Sequence, residues 1–515
     1  MRAVLPSKVA VPLHLAFIVA YLASVRIAPG EVMAYLPVVW LVVGLIVIAL
    51  LFPAAHRGED VEGARMRSFL SFRRDYAILW GVAGVAFILI QTLCGPRVLQ
   101  LNPKNLVWEF SQARIRDFPS CFDQLLSLDG AFCALLAFSA MFVIRKCLGR
   151  NGRTLLLQSI AVIASVLSLY GLIRYATASV ENPVVGFATF SRSVEAGLFF
   201  TMVFSVCCGL LTTELGQKHL QKKKARLLFV TAVLTYFGAV FSLSALALVL
   251  ATAVLILNLV YGFLFLRQRT LAERKMRLFA IAIVVLAITA FLHFIAYPEN
   301  RIHGQIDKVF HGPWTTEAQK AETATLRAVA WRTFADNHFA GVGTWGYSEP
   351  ASFARYVEND AEWLSLGDQN ERHYSCENDF LQCLAEYGTI GCILLGVPFV
   401  LLIIGIVRRL ISAATKAGCQ IPRSEDGDED FFDRYSPLVF SLFLATVTAG
   451  VVSFCFSIFH QPLVFLTWTI FLAMLFCFLP KPVQHEKTPL MARLAIARSS
   501  FHSHRHHREN AKAGD

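Results

Sequence analysis

The sequence predicts an all-α polytopic membrane protein of about 12 transmembrane helices with one large, partly helical loop on the outer side. Three observations lead there. Hydrophobic residues make up 56% of the 515 residues before the 31 glycines are added, whereas soluble domains reach about 45–50% with glycine counted. Charged residues are 16%, against about 25% in soluble domains, and the mean hydropathy is +0.55. The apolar residues also fall in runs of about 20, enough to cross roughly 30 Å of hydrocarbon as helix. Soluble, disordered, collagen-like and disulfide-rich classes are excluded. The net charge of +11 raises nucleic-acid binding. However, the Lys and Arg residues sit in short clusters between apolar runs, the pattern of membrane orientation.

In chain order the predicted spans are 9–25, 33–53, 77–96, 131–144, 155–176, 195–213, 227–243, 245–266, 278–297, 389–407, 437–458 and 463–480. The first follows Arg2 and Lys8 and is read as an uncleaved helix, because further spans follow at once. The fourth is short, and only a tight turn near Ser244 separates the seventh from the eighth. Residues 1–297 thus hold helices 1–9 and residues 389–480 hold helices 10–12. Basic clusters at Arg57–Arg74, Arg145–Arg153, Lys218–Arg226, Arg267–Arg277 and Arg408–Arg434 alternate with connections poor in positive charge. This places both termini inside and residues 97–130 and 298–388 outside. Residues 481–515 form a basic, His-rich tail without periodicity, expected to be disordered at the anionic inner leaflet.

Cys207, Cys208, Cys392, Cys455 and Cys477 fall in spans, where a thiol behaves as a small hydrophobe. Cys94, Cys121, Cys376 and Cys383 face the oxidising side and are able to pair, although their spacing is no disulfide framework.

The spans carry almost no charge near their centres, whereas coupled transporters place ionisable groups at the midplane. Polar groups gather at the outer face instead, which favours chemistry at the membrane–water boundary. The large loop is ordered in places. A helix is expected from Thr315 and Thr316 to Asp336, with Arg327, Trp331 and Phe334 on one face. The Gly341–Gly346 stretch reads G-x-G-x-x-G, but no strand–helix unit frames it, so it is read as a tight, backbone-exposed turn rather than a dinucleotide motif. A second helix is expected from about Ser375. Asn378, Gln382 and Glu386 form its polar stripe, read either as a site or as a water-facing surface. Gly388 breaks this helix and Gly391 opens the next span.

These motifs resemble the O-antigen ligase and polymerase family of bacterial inner-membrane glycan transferases. The resemblance rests on Arg327-x-x-x-Trp331, then Gly341-x-Gly343, then Asn378, nine residues, Gly388-x-x-Gly391, with Ser191-Arg192-Ser193 in an earlier outer segment. Phe241–Ser244 resembles the family's Ser-rich start of a later span, with Ala245 where an Arg often follows.

The resemblance implies a donor glycan on undecaprenyl pyrophosphate, transferred to an acceptor hydroxyl with no metal or nucleotide cofactor. It implies that Arg192 and Arg327 bind the pyrophosphate; guanidinium suits this because it stays charged and offers paired donors. Glu377 stands where the family has His and is the expected general base, with His373 as the alternative. Trp331, Gly341, Gly343, Asn378, Gln382, Glu386, Gly388 and Gly391 are expected to support the site. Lipopolysaccharide biosynthesis in the cell inner membrane follows, with ligation to lipid A–core as the leading reading. Polymerase and protein O-oligosaccharyltransferase are family alternatives. A polysaccharide flippase or other secondary transporter, and a non-catalytic glycan-binding membrane protein, are the rivals from other classes.

Overall fold

The computed structural model describes residues 75–94, 99–102, 107–110, 119–122, 124–177, 187–190, 192–217, 221–242, 244–268, 317–344, 346–347, 376, 378–418, 436–456, 459, 461–479 and positions 16, 44 and 66. Apart from positions 16 and 44, the predicted spans at 9–25, 33–53 and 278–297 and the 481–515 tail lie outside these residues. So do Glu377 and His373.

The helices are α1 (Tyr76–Leu93), α2 (Gln124–Phe142), α3 (Arg150–Thr177), α4 (Ser193–Leu215), α5 (Lys222–Phe241), α6 (Ala245–Gln268), α7 (Glu317–Asp336), α8 (Asp379–Gly418), α9 (Pro437–Ser453) and α10 (Pro462–Phe478). Those in α3, α4, α5, α6 and α8 are long and apolar enough to cross a membrane, while α1, α9 and α10 are shorter apolar helices. The chain is a membrane protein on this evidence.

The described bundle is all-helical, as expected, with one short hairpin in a connection. Leu99–Asn102 and Val107–Phe110 form an antiparallel hairpin, β1–β2, with Leu99 opposite Phe110. Windows of about 20 residues, the length of a span, average over four-residue strands. The predicted fourth span is longer than expected, because α2 starts at Gln124 and runs into a π-helical turn at Val143–Cys147.

Helix α4 is apolar on every side and buried along its length, as a helix enclosed by others must be. It packs on α5, α9, α6 and α3. Small residues set the closest crossings: Gly197 lies against Ala247 and Ser242, and Gly209 against Ser441. Between apolar surfaces, hydrogen bonds supply further cohesion. Ser205 donates to the Ser441 carbonyl at 2.9 Å, Asn258 Nδ2 to Ser205 Oγ at 3.2 Å, and Ser441 Oγ to Asn258 Oδ1 at 2.6 Å.

The contacts Ser205–Ser441 and Gly209–Pro437 make α4 and α9 antiparallel. The start of α4 and the end of α9 therefore share one end of the bundle. The opposite end collects charge. Asp75 is paired with Arg145 at 3.1 Å and Lys146 at 3.2 Å, and buried Glu214 with Lys224 at 2.8 Å. Arg153 and Arg409 donate to helix-terminal carbonyls there, at Ile144 and Leu479.

Candidate functional site

Helix α8 is interrupted at Gly388, whose φ is 63° and ψ −171°, a conformation nearly confined to glycine. A break inside a helix orphans the carbonyls before it and the N–H groups after it. The turn after α7 satisfies both sets. Val342 N donates to Ala385 O at 3.1 Å and Gly343 N to Glu386 O at 2.9 Å. In return, Thr389 N donates to His338 O at 2.8 Å and Ile390 N to Phe339 O at 3.1 Å. Gln91 of α1 closes the knot, its side-chain amide Nε2 donating to Ala340 O at 2.6 Å and Glu386 O at 3.1 Å.

The two glycine motifs are therefore two halves of one backbone joint. Gly341 and Gly343 have φ of 69° and 91°. Gly391 is buried, and a Cβ there would reach the Phe87 ring at 2.7 Å. The turn expected to be backbone-exposed is instead buried from Ala340 to Thr344. The reason is that its polar backbone groups are satisfied by α8 rather than by water.

Helix α8 begins at Asp379, later than the expected start near Ser375. Asn378 caps it, its Oδ1 accepting from Leu381 N at 2.9 Å. The predicted polar stripe turns inward at Gln382 and Glu386, while Asn378 is half-buried. Gln382 is buried, donating to Glu386 Oε1 at 2.9 Å and accepting from Cys376 N at 3.2 Å. Glu386 is 1% exposed. Helix α8 turns this face inward onto a small core of Leu326, Ala330, Tyr347, Cys376 and Ala385. Tyr347 donates its hydroxyl proton to Leu326 O at 2.7 Å, fastening the chain after the turn to α7.

Arg327 lies half-buried on α7, its Nη2 donating to Cys455 O at 3.2 Å. Asn378 Nδ2 donates to the adjacent Phe454 O at 3.0 Å, and Asp379 Oδ2 accepts from Phe459 N at 3.0 Å. The turn between α9 and α10 thus ties the start of α8 to the middle of α7. Trp331 is exposed, its ring centroid 5.6 Å from that of Phe334. Exposed Phe380 and Phe454, with centroids 6.5 Å apart, border the same turn.

Arg192 is half-buried and immediately precedes α4, its carbonyl accepting from Ala196 N at 3.2 Å. By the antiparallel packing of α4 on α9, Arg192 and Arg327 occupy the same end of the bundle. Nearby Arg174 donates to Ala188 O at 3.0 Å, so it holds the loop before Arg192.

Burial pushes the Cys376 thiol up to about 12. Its hydrogen bond to Asn378 O and the Arg327 charge pull the other way, while Glu386 and Asp379 push with the burial. Cys94, Cys121, Cys376 and Cys383, expected on the oxidising side, are not paired with one another.

Sequence reasoning did not single out Gln91, Asp379 or the Phe454–Phe459 turn. Asp379 follows Asn378 directly and could have been found as a first-turn acid. Gln91, a polar residue near the end of an apolar run, was the available signal for the third participant.

Residues 227–396 match the model of the family described as O-Antigen ligase. No curated protein matches the chain. The match runs from α5 into α8 and includes Arg327, Trp331, both glycine motifs, Asn378, Gln382 and Glu386, while Arg192 precedes it. Residues 227–396 are thus similar to an O-antigen ligase domain, within a membrane protein. This supports a glycosyltransferase-like enzyme of surface-glycan biosynthesis, working on a lipid-linked glycan donor and a glycan acceptor.

Proposed function

We propose that the protein transfers a glycan from undecaprenyl pyrophosphate to an acceptor hydroxyl at the periplasmic face of the cell inner membrane, with lipid A–core as the acceptor. The observation that carries this is the placement of Arg327. One N–H of its guanidinium is anchored on Cys455 O at 3.2 Å, at the bundle end where Arg192 also stands. The basic groups Arg145, Lys146, Arg153, Lys224 and Arg409 gather at the other end, in keeping with a cytoplasmic side there.

In this reading Arg327 and Arg192 hold the pyrophosphate oxygens and take up the charge that grows as the bond from the anomeric carbon to the phosphate oxygen breaks. The acceptor oxygen forms the new bond to that carbon and passes its proton to Glu377. The backbone on either side of Glu377 is fixed. Cys376 N is held by Gln382, and Asn378 caps α8 and holds Phe454 O. The exposed rings of Phe380 and Phe454 provide an apolar surface for the polyprenyl chain beside the pyrophosphate.

The test is reconstitution in lipid vesicles with an undecaprenyl-pyrophosphate glycan and lipid A–core. A covalent glycan–acceptor product, lost in Arg327→Ala, is expected. Glycan chains lengthening on the donor would make the protein a polymerase. Movement of intact donor across the vesicle without a new covalent product would make it a transporter and sink the proposal.

A further inference from the structure

Cys383 and Cys392 stand on opposite sides of the Gly388 break, yet their sulfurs are 3.2 Å apart. In a continuous helix nine residues advance about 13.5 Å at roughly 1.5 Å each, and positions nine apart do not meet. The contact exists only because α8 bends sharply where Gly388 leaves helical geometry. Both residues are half-buried, and the joint that creates the bend is fixed by hydrogen bonds from outside the helix.

We infer that Cys383 and Cys392 form a disulfide site that staples the break in α8. Two sulfurs already in van der Waals contact need to close by little more than about 1 Å to reach a bonded length. The helical segment they join carries Asn378, Asp379, Gln382 and Glu386, so the staple fixes the angle at which that segment meets the α9–α10 turn. The reaction is thiol–disulfide exchange. The thiolate of one cysteine attacks an exogenous disulfide, and the second thiolate then attacks the mixed disulfide. One S–S bond forms and one breaks; the two protons and two electrons of the cysteine pair pass to the oxidant, which leaves as a dithiol. This needs the oxidising compartment, so the inference shares the side assignment of the proposed function, but its readout does not depend on transfer.

The test uses the full-length protein in cell membranes. Thiols are trapped by acid, denatured and alkylated with one reagent, then reduced and alkylated with a second, isotopically distinct one. Cys383 and Cys392 are expected to carry the second label together, while Cys376 carries the first. In Cys392→Ser, Cys383 should move to the first label, and in Cys383→Ser, Cys392 should do the same. First-reagent labelling of both cysteines in the native chain overturns the inference. So does second-reagent labelling of Cys383 that persists in Cys392→Ser, since its partner would then be another residue. Glycan transfer measured on the same cells separates the two readings: transfer with both thiols free removes only the staple, and a staple without transfer removes only the proposed reaction.

Discussion

Gly341 and Gly388 occupy each other's side-chain space. A Cβ on Gly341 would stand 2.6 Å from Gly388 N, and a Cβ on Gly388 would stand 2.6 Å from both Gly341 N and Ala340 N. Both have positive φ, 69° and 63°. The absence of two side chains lets the α7 turn approach closely enough to take over the hydrogen bonds that the α8 break gives up.

Gly341→Ala and Gly388→Ala are therefore expected to destabilise the protein. Backbone strain alone costs about 1–3 kcal/mol at each position, and the overlap with backbone atoms adds to it because backbone cannot rotate away. Gly396→Ala and Gly450→Ala are the controls, since a Cβ at either meets nothing within 4 Å. Thermal unfolding in detergent should show a lowered midpoint for the first pair and little change for the second. Equal midpoints for all four variants would remove the joint as a structural element.

Arg327→Ala and Arg192→Ala are expected to abolish or nearly abolish transfer while the protein still inserts. Truncating a charge-assisted partner of a buried charge costs about 2–5 kcal/mol, or on the order of 30- to several-thousand-fold. Lys at either position should restore only part, because it offers a point charge in place of a fork. Arg327→Lys should restore less, since it must also hold Cys455 O. Wild-type glycan transfer by both Ala variants in cells would dismiss the pyrophosphate clamp.

How much of this was legible follows from the reach of each signal. Span positions for α3 to α6 and α8 to α10 could be read because hydropathy is a property of about 20 consecutive residues. The break at Gly388 could be read because glycine has a local meaning. What the break binds could not: Gln91 and Ala340 are 249 positions apart, and only the fold joins them. The stripe of Asn378, Gln382 and Glu386 shows the same limit. Its spacing is visible in sequence, but whether it faces water depends on α7, whose Leu326 and Ala330 pack with the neighbouring Leu381 and Ala385 of α8. The Cys383–Cys392 contact was hidden for a related reason, since helical spacing forbids it unless the bend is known.

Cys376 offers a pH readout of the intact site. Its folded-state thiol is raised from 9.0 to about 12 by burial first of all. Since the thiolate is the nucleophile, alkylation of Cys376 should keep accelerating from pH 9 toward 12, where an exposed thiol has already levelled off. Folding prefers the protonated form, so the stabilising contribution is complete below about 9 and is lost as pH rises through about 12. Gln382→Leu removes the acceptor of Cys376 N and loosens this segment. It should bring the alkylation profile back toward that of an exposed thiol. A native Cys376 that titrates like an exposed thiol would mean that the segment is open.

Glu377 is proposed as the group that activates the acceptor. Register motivates this: Asn378 caps α8, and Gly388 breaks it after nine intervening residues, as in the family pattern. Glu377 fills the one position that departs from that pattern. Helix α8 starts at Asp379, so Glu377 precedes the first turn, where the helix dipole would hold a carboxylate ionised and weaken it as a base. General-base help is worth about 10²–10⁴-fold. Glu377→Gln keeps size and hydrogen bonding but cannot take the proton, so transfer should fall by that range with expression unchanged. Glu377→His supplies the residue that the family uses and should keep part of the activity, with a rate that rises as the imidazole loses its proton near pH 6.5. His373→Ala should have a small effect. The reverse pattern, with Glu377→Gln active and His373→Ala inactive, would assign the proton to His373, and two active variants would place the base outside this loop.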